Sequence, residues 1–207
     1  VEMPPERVPV LQKRIIQLAN ARAKLVITAT QMLESMISNP LPTRAEASDV
    51  ANAVFDGTDA VMLSAESAAG RYPVESVAMM ERIVTEAELH LREWGQVRSL
   101  ESLGDSDAAS MARAAQEIAL DRDVAAIAVF TMQGRTALLV SKSRPNVPIL
   151  AFTPEAGTCR RMALMWGMLP STLPSALEAL DRIRHGESFD VAVLDMSMPG
   201  IDGLELA

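Results

Sequence analysis

The chain has 207 residues, 49% of them hydrophobic and 22% charged, which is enough apolar material for a sizeable core and a length that suits one to two domains. Its formal charge of -8 and pI near 4.8, with no Lys/Arg run, argue against a nucleic-acid footprint or an anionic membrane surface, so an anionic partner would need a local positive site. The single cysteine, Cys159, excludes an internal disulfide framework, no Cys/His cluster has zinc-ligand spacing, and no apolar run approaches the roughly 20 residues of a spanning helix. The opening VEMPPERVPV lacks the charged-then-apolar pattern of a signal peptide, so a soluble, cytoplasmic protein is expected.

In chain order, periodicity predicts a helix near Leu11 to Ala23, a strand from Lys24 to Ala29 and a helix near Gln31 to Ile37. A helix from Arg44 to Phe55, a strand from Ala60 to Leu63 and a helix from Val74 to Arg92 follow. Thr43-Arg44-Ala45-Glu46 has capping-box spacing, Pro40 and Pro42 stop the preceding element, and Asp56-Gly57 ends the helix. Residues 95–107 carry Gly, Ser and acidic side chains without periodicity and read as a linker. Beyond it come a helix near Ala108 to Leu120, a strand from Val124 to Phe130, a helix from Arg135 to Lys142, a strand from Pro148 to Phe152 and a helix from Thr158 to Trp166. From Leu173 onward SALEALDRIRHGE reads as a helix, DVAVLDM as a strand and SMPGIDG as a turn. Alternating strands and helices throughout imply an α/β protein.

Two places combine polar side chains with strand ends. Thr30 closes the strand LVITA, and Ser64 and Glu66 close the strand around AVML, two residues apart and therefore on one face if extended geometry continues that far. Residues at the carboxyl ends of barrel strands face the active site, although a helix cap at Thr30 and ordinary turn residues at Ser64 and Glu66 satisfy the spacing equally well. Further on, Thr131, Gly134, Arg135 and Thr136 lie between a strand and a helix, where backbone N–H groups and a guanidinium favour an anion; a plain strand-to-helix turn is the competing reading.

The run VITATQMLESMI, with NP, PTRAEASDVANAVFDGTDAVMLSAESAAGRYPVESV after it, resembles the pyruvate kinase family over nearly every position, and the resemblance extends through VAAIAVFTMQGRTALLVSKSRPNVPILAFTP to about Pro170. It implies the last two βα units of a TIM-type barrel over residues 1–94, the linker at 95–107, and a smaller three-layer α/β domain over 108–172. It also implies phosphoryl transfer from phosphoenolpyruvate to ADP, giving pyruvate and ATP. Thr30 looks like the family threonine that contacts phosphoenolpyruvate near the carbon to be protonated, and Ser64 and Glu66 are similar to residues of the same pocket. Ala65 stands where glycine is usual. A carboxylate such as Glu66 cannot stabilise an anionic phosphoryl group and would instead orient hydroxyls or water. Magnesium and potassium are implied cofactors, but the family's ligands for them, its substrate-binding arginine and its catalytic lysine lie upstream; Val1-Glu2 looks like the end of the string G-D-L-G-V-E, just past the metal-binding aspartate. The chain alone is therefore expected to be inactive. Loop 131–136 resembles the family's site for a phosphorylated effector, with Gln133 where serine is common, and family members are commonly homo-oligomers, namely tetramers.

From about Ala176 the chain leaves that pattern. ALEALDRIRHGESFDVAVLDMSMPGIDGLELA resembles the middle of a response-regulator receiver domain, so residues 173–207 are expected to form a receiver-like α-β-α segment that replaces the end of the α/β domain. In that family the aspartate closing the third strand accepts a phosphoryl group, which corresponds to Asp195. Two readings other than an enzyme follow: a signalling or interaction module built on this tail, and a non-catalytic binder of phosphometabolites acting through Arg135.

Overall fold

The computed structural model describes residues 4–95, 106–173, 178 and 191–194. The chain divides into two compact units, Val1–Val97 and Arg98–Ala207. Asp195 and the rest of the receiver-like stretch, Leu173, Glu178 and residues 191–194 apart, lie outside the described residues.

The first unit opens with a 3-10 turn at Pro5–Arg7 and helix α1 (Val8–Ala21), followed by strand β1 (Ile27–Thr28), a second 3-10 turn at Glu34–Ile37 and helix α2 (Arg44–Phe55). Strand β2 (Ala60–Val61), a one-turn helix α3 (Ala65–Ala68), helix α4 (Pro73–Leu89) and a last turn α5 (Leu91–Trp94) complete it. β1 and β2 pair in parallel, Ile27 with Ala60 and Thr28 with Val61. The helix expected over 31–37 shrinks to the 3-10 turn, because Leu33 sits at φ -133°, ψ 40°, outside helical geometry, while the Met32 N–H donates to the Thr30 carbonyl and the Leu33 N–H to a side chain. What holds this segment is burial. Met32, Leu33 and Met36 are fully enclosed with Val50, Ala53 and Met80 from α2 and α4. α2 carries the complete capping box, Thr43 Oγ1 accepting from the Glu46 N–H and the Glu46 carboxylate accepting from the Thr43 N–H, and it ends at Asp56 before Gly57 at φ 92°.

In the second unit, helix α6 (Asp107–Asp121) leads to strand β3 (Ile127–Phe130), helix α7 (Arg135–Ser143), strand β4 (Ile149–Thr153), helix α8 (Ala156–Met162), strand β5 (Met168–Thr172) and strand β6 (Val191–Leu194). The four strands form a parallel sheet in the order β5-β4-β3-β6. Every residue of β3 is buried, as a central parallel strand covered on both faces requires, and Phe130 stacks on its register partner Phe152 at 5.1 Å. α6 presents Ala109, Ala112, Ala115 and Ala119 to the interior, so it packs closely on α7. The sequence carries no strand signal for β5, because Pro170 removes a backbone donor and reads as a strand breaker; it is tolerated here because β5 is the edge strand. β6 pairs with β3 in register from Ile127↔Val191 to Phe130↔Leu194, so this part of the tail extends the same sheet.

Candidate active site

Because β1 and β2 run parallel, both open their carboxyl ends on the same side, and the segments leaving them meet there. Thr30 follows β1 with its side chain exposed, two residues before the buried Met32. Ser64 follows β2, also exposed, and directly precedes α3. The expectation that Ser64 and Glu66 share one face of an extended strand is corrected: β2 ends at Val61, helical geometry begins at Ala65, and Glu66 turns inward to only 4% exposure while Ser64 stays outside. The two are nevertheless linked, since one Glu66 oxygen accepts from the Ser64 N–H at 2.8 Å and the other accepts from the Leu33 N–H at 3.2 Å. A single buried carboxylate therefore ties the segment after β1 to the segment after β2. Two further contacts reinforce this joint. The Arg71 N–H donates to the Ile37 carbonyl at 2.8 Å, and Gly70 lies so close that a Cβ there would stand 2.5 Å from the Glu66 carbonyl oxygen and 3.2 Å from the Ile37 Cα.

Thr30 also borders a groove of about 300 Å³ between α1 and β1, whose other walls include Val8, Leu11, Ile15, Ile16 and Ile27. Apolar side chains are left uncovered on this side of the unit, with Ile15 54% and Ile27 49% exposed. Away from the strand ends, polar groups stitch the strand approaches together: Asp59 accepts from the Val26 N–H at 2.7 Å, Thr28 donates to Thr58 at 2.9 Å, and Asn20 donates to the Gly57 carbonyl at 3.0 Å. Sequence reasoning missed this network, although the close spacing of Thr58 and Asp59 after Gly57 carried a signal of turn chemistry.

A second carboxylate holds the segment after β1 from its other end. Glu46 accepts from the Ser35 N–H at 2.7 Å, the Ser35 hydroxyl at 2.6 Å, the Thr43 N–H at 2.7 Å and the Thr43 hydroxyl at 2.8 Å. Partial burial pushes the Glu46 carboxyl up, but the bonds from Ser35 and Thr43 together outweigh it and lower its pKa from 4.5 to about 2. A carboxyl held below its unfolded value stabilises the fold in full above that value and loses the contribution as pH falls from about 4.5 toward 2. The urea midpoint should accordingly decline through this window, and Glu46→Gln should remove this component of the decline; an identical pH profile in the variant would refute the linkage.

In the second unit, Thr131 is buried and its hydroxyl oxygen accepts from the Gly134 N–H at 3.0 Å, while Gly134 caps α7 in the left-handed region at φ 82°. A Cβ at 134 would lie 3.2 Å from Thr158 Cγ2, so glycine answers both a backbone and a packing demand. Thr136 is buried as well, and of the four residues expected at this loop Arg135 is the exposed one. The loop leaves the carboxyl end of β3, where the strand order changes direction, which is the crevice in which open parallel sheets bind ligands.

Among the described residues there is no group of three or more His, Cys, Asp or Glu side chains that could hold a metal ion. No helix among them is long and apolar enough to cross a membrane.

Residues 1–77 match the family described as pyruvate kinase, barrel domain, and residues 109–195 match pyruvate kinase, alpha/beta domain. The second match runs beyond Ala176, where the family pattern was expected to stop. A pyruvate kinase of Geobacillus stearothermophilus is 51% identical over 217 aligned positions, covering 96% of this chain and 36% of that protein. One from Agrobacterium vitis is 46% identical over 186, covering 88% and 39%. The crystal structure of a pyruvate kinase from Cryptosporidium parvum superposes with a TM-score of 0.78 at 36% identity, covering 92% of this chain and 41% of that one. The chain thus spans about two fifths of the length of such relatives.

Proposed function

The chain belongs to the pyruvate kinase family, and on that premise we propose that Thr30, Ser64 and Glu66 form one side of a phosphoenolpyruvate pocket, the side that handles the proton. The observation that carries this reading is the Glu66 bridge between the Leu33 and Ser64 N–H groups, which sets the segments after two neighbouring parallel strands against each other at their carboxyl ends. Phosphoryl transfer from phosphoenolpyruvate to ADP leaves an enolate whose methylene carbon must gain a proton, and the exposed Thr30 hydroxyl is suited to pass one on from water. With each oxygen accepting from a backbone N–H group, Glu66 acts by fixing the pocket wall, and its negative charge repels an anionic phosphoryl group.

Charge neutralisation in this reaction requires cations, which would come from the remainder of an eight-stranded barrel. The uncovered apolar side of α1 and β1 suits that remainder, because strands packed there would bury Ile15 and Ile27 and close the groove. The chain by itself should then form no pyruvate from phosphoenolpyruvate and ADP with magnesium and potassium present. Residues 1–195 grafted in place of the matching portion of the Geobacillus stearothermophilus enzyme should restore turnover. Robust activity of the isolated chain, or a folded but inert graft, would reject the assignment.

In the second unit a phosphorylated effector would rest on Arg135 and the first N–H groups of α7, since Thr131 and Thr136 are turned inward. A signalling reading of the tail rests on the string DMSMPGIDG alone. Radiolabel from acetyl phosphate that disappears in Asp195→Asn would support it, and no label on the intact chain would remove it.

A further inference from the structure

The segment that carries Thr30 has little regular structure of its own, only the 3-10 turn at Glu34–Ile37, yet it must keep a hydroxyl at a fixed place if Thr30 meets substrate. Its apolar residues Met32, Leu33 and Met36 resist withdrawal from the core, but packing alone leaves rotation and sliding along the core surface open. Those freedoms are removed by polar bonds on both sides. Glu66 takes the Leu33 N–H, and two residues later Glu46 takes both the N–H and the hydroxyl of Ser35, one on each carboxylate oxygen. A bidentate grip on one residue fixes orientation as well as distance. Glu46 is in turn immobilised by Thr43, whose N–H and hydroxyl donate to it while its hydroxyl oxygen accepts from the Glu46 N–H, so the anchor sits at the rigid first turn of α2.

We propose that Glu46 and Ser35 are positioning residues for Thr30: they latch the segment after β1 to the start of α2, and this latch, with the Glu66 bond at Leu33, sets where the Thr30 hydroxyl lies. The capping box does two jobs at once, starting the helix and holding the pocket wall. The inference rests on the reading of Thr30 as the group that meets substrate, but its test needs no substrate, so the two can fail separately.

The test is amide hydrogen exchange and methyl NMR on the full 207-residue chain. Ser35→Ala removes one bond of the grip and should speed exchange at Met32, Leu33 and Ser35 by about tenfold or more, leaving Val50 of α2 and Ala87 of α4 within about twofold, as expected for local rather than global opening. The Thr30 methyl resonance should shift in the same variant, and Ser35→Thr, which keeps the hydroxyl, should return both readouts toward the parent. Glu46→Gln should produce the larger change of the same kind. Equal acceleration at all of these amides would mean that Glu46 and Ser35 serve general stability alone, and an unmoved Thr30 methyl would mean that the latch does not reach the site; either result overturns the proposal. Should Glu46→Gln fail to fold, the Ser35→Ala and Ser35→Thr pair decides the matter alone.

Discussion

Thr30→Val, introduced into the graft that carries residues 1–195, should lower kcat by about 10²–10⁴-fold, the usual worth of a positioned proton-transfer group. Valine keeps the branched shape and removes the hydroxyl, so packing around the exposed side chain is little disturbed and the loss reports on chemistry. The Michaelis constant for phosphoenolpyruvate should change far less, because the hydroxyl is needed when the carbon accepts its proton and not when the phosphate is held; equal falls in kcat and kcat/KM are the signature of an interaction made only in the transition state. Thr30→Ser should keep most of the activity. A rise in KM at constant kcat would instead make Thr30 a substrate-binding group and remove it from the proton path.

Glu66→Leu should destabilise the chain by about 2 kcal/mol, since it leaves the Leu33 N–H, in a residue with no exposure, without its acceptor and also releases the Ser64 N–H. Urea unfolding followed by circular dichroism measures this directly. Glu66→Gln should fall between the two, because an amide can accept from one of the N–H groups but presents a donor to the other. A midpoint for Glu66→Leu within experimental error of the parent would show that the bridge contributes nothing. In the graft the same variant should also cost activity, as the pocket wall loses the tie between its two halves.

How much of this was legible beforehand depended on whether the signal was local. The capping box at Thr43 and Glu46, the stop at Gly57 and the helices α1, α2, α4, α6 and α7 follow from neighbouring residues, and their limits fell within a few positions of those expected. β3 and β4 are recognisable as apolar runs, β3 shorter than its run suggests and β4 displaced by one residue at the expected length. The failures involve partners distant in sequence. Residues 31–37 have a helical apolar pattern, but Met32 and Leu33 are drawn into the core with Leu33 outside helical geometry, so only one 3-10 turn forms. α3 is four residues long and has no periodicity to read, which is why Ser64 and Glu66 were assigned the alternation of a strand. β5 was hidden by Pro170, whose tolerance depends on an edge position that only the sheet order reveals. For the site itself, sequence supplied Thr30, Ser64 and Glu66 through family likeness, while the inward turn of Glu66 and the part played by Ser35 and Glu46 needed coordinates.

The contact at Gly70 limits what can be varied near this pocket. With 2.5 Å between a would-be Cβ and the Glu66 carbonyl oxygen, even a methyl group would lever α3 away from Ile37 and carry the carboxylate with it. Saturation mutagenesis of that codon, selected for pyruvate production in the graft, should therefore enrich glycine against all nineteen alternatives.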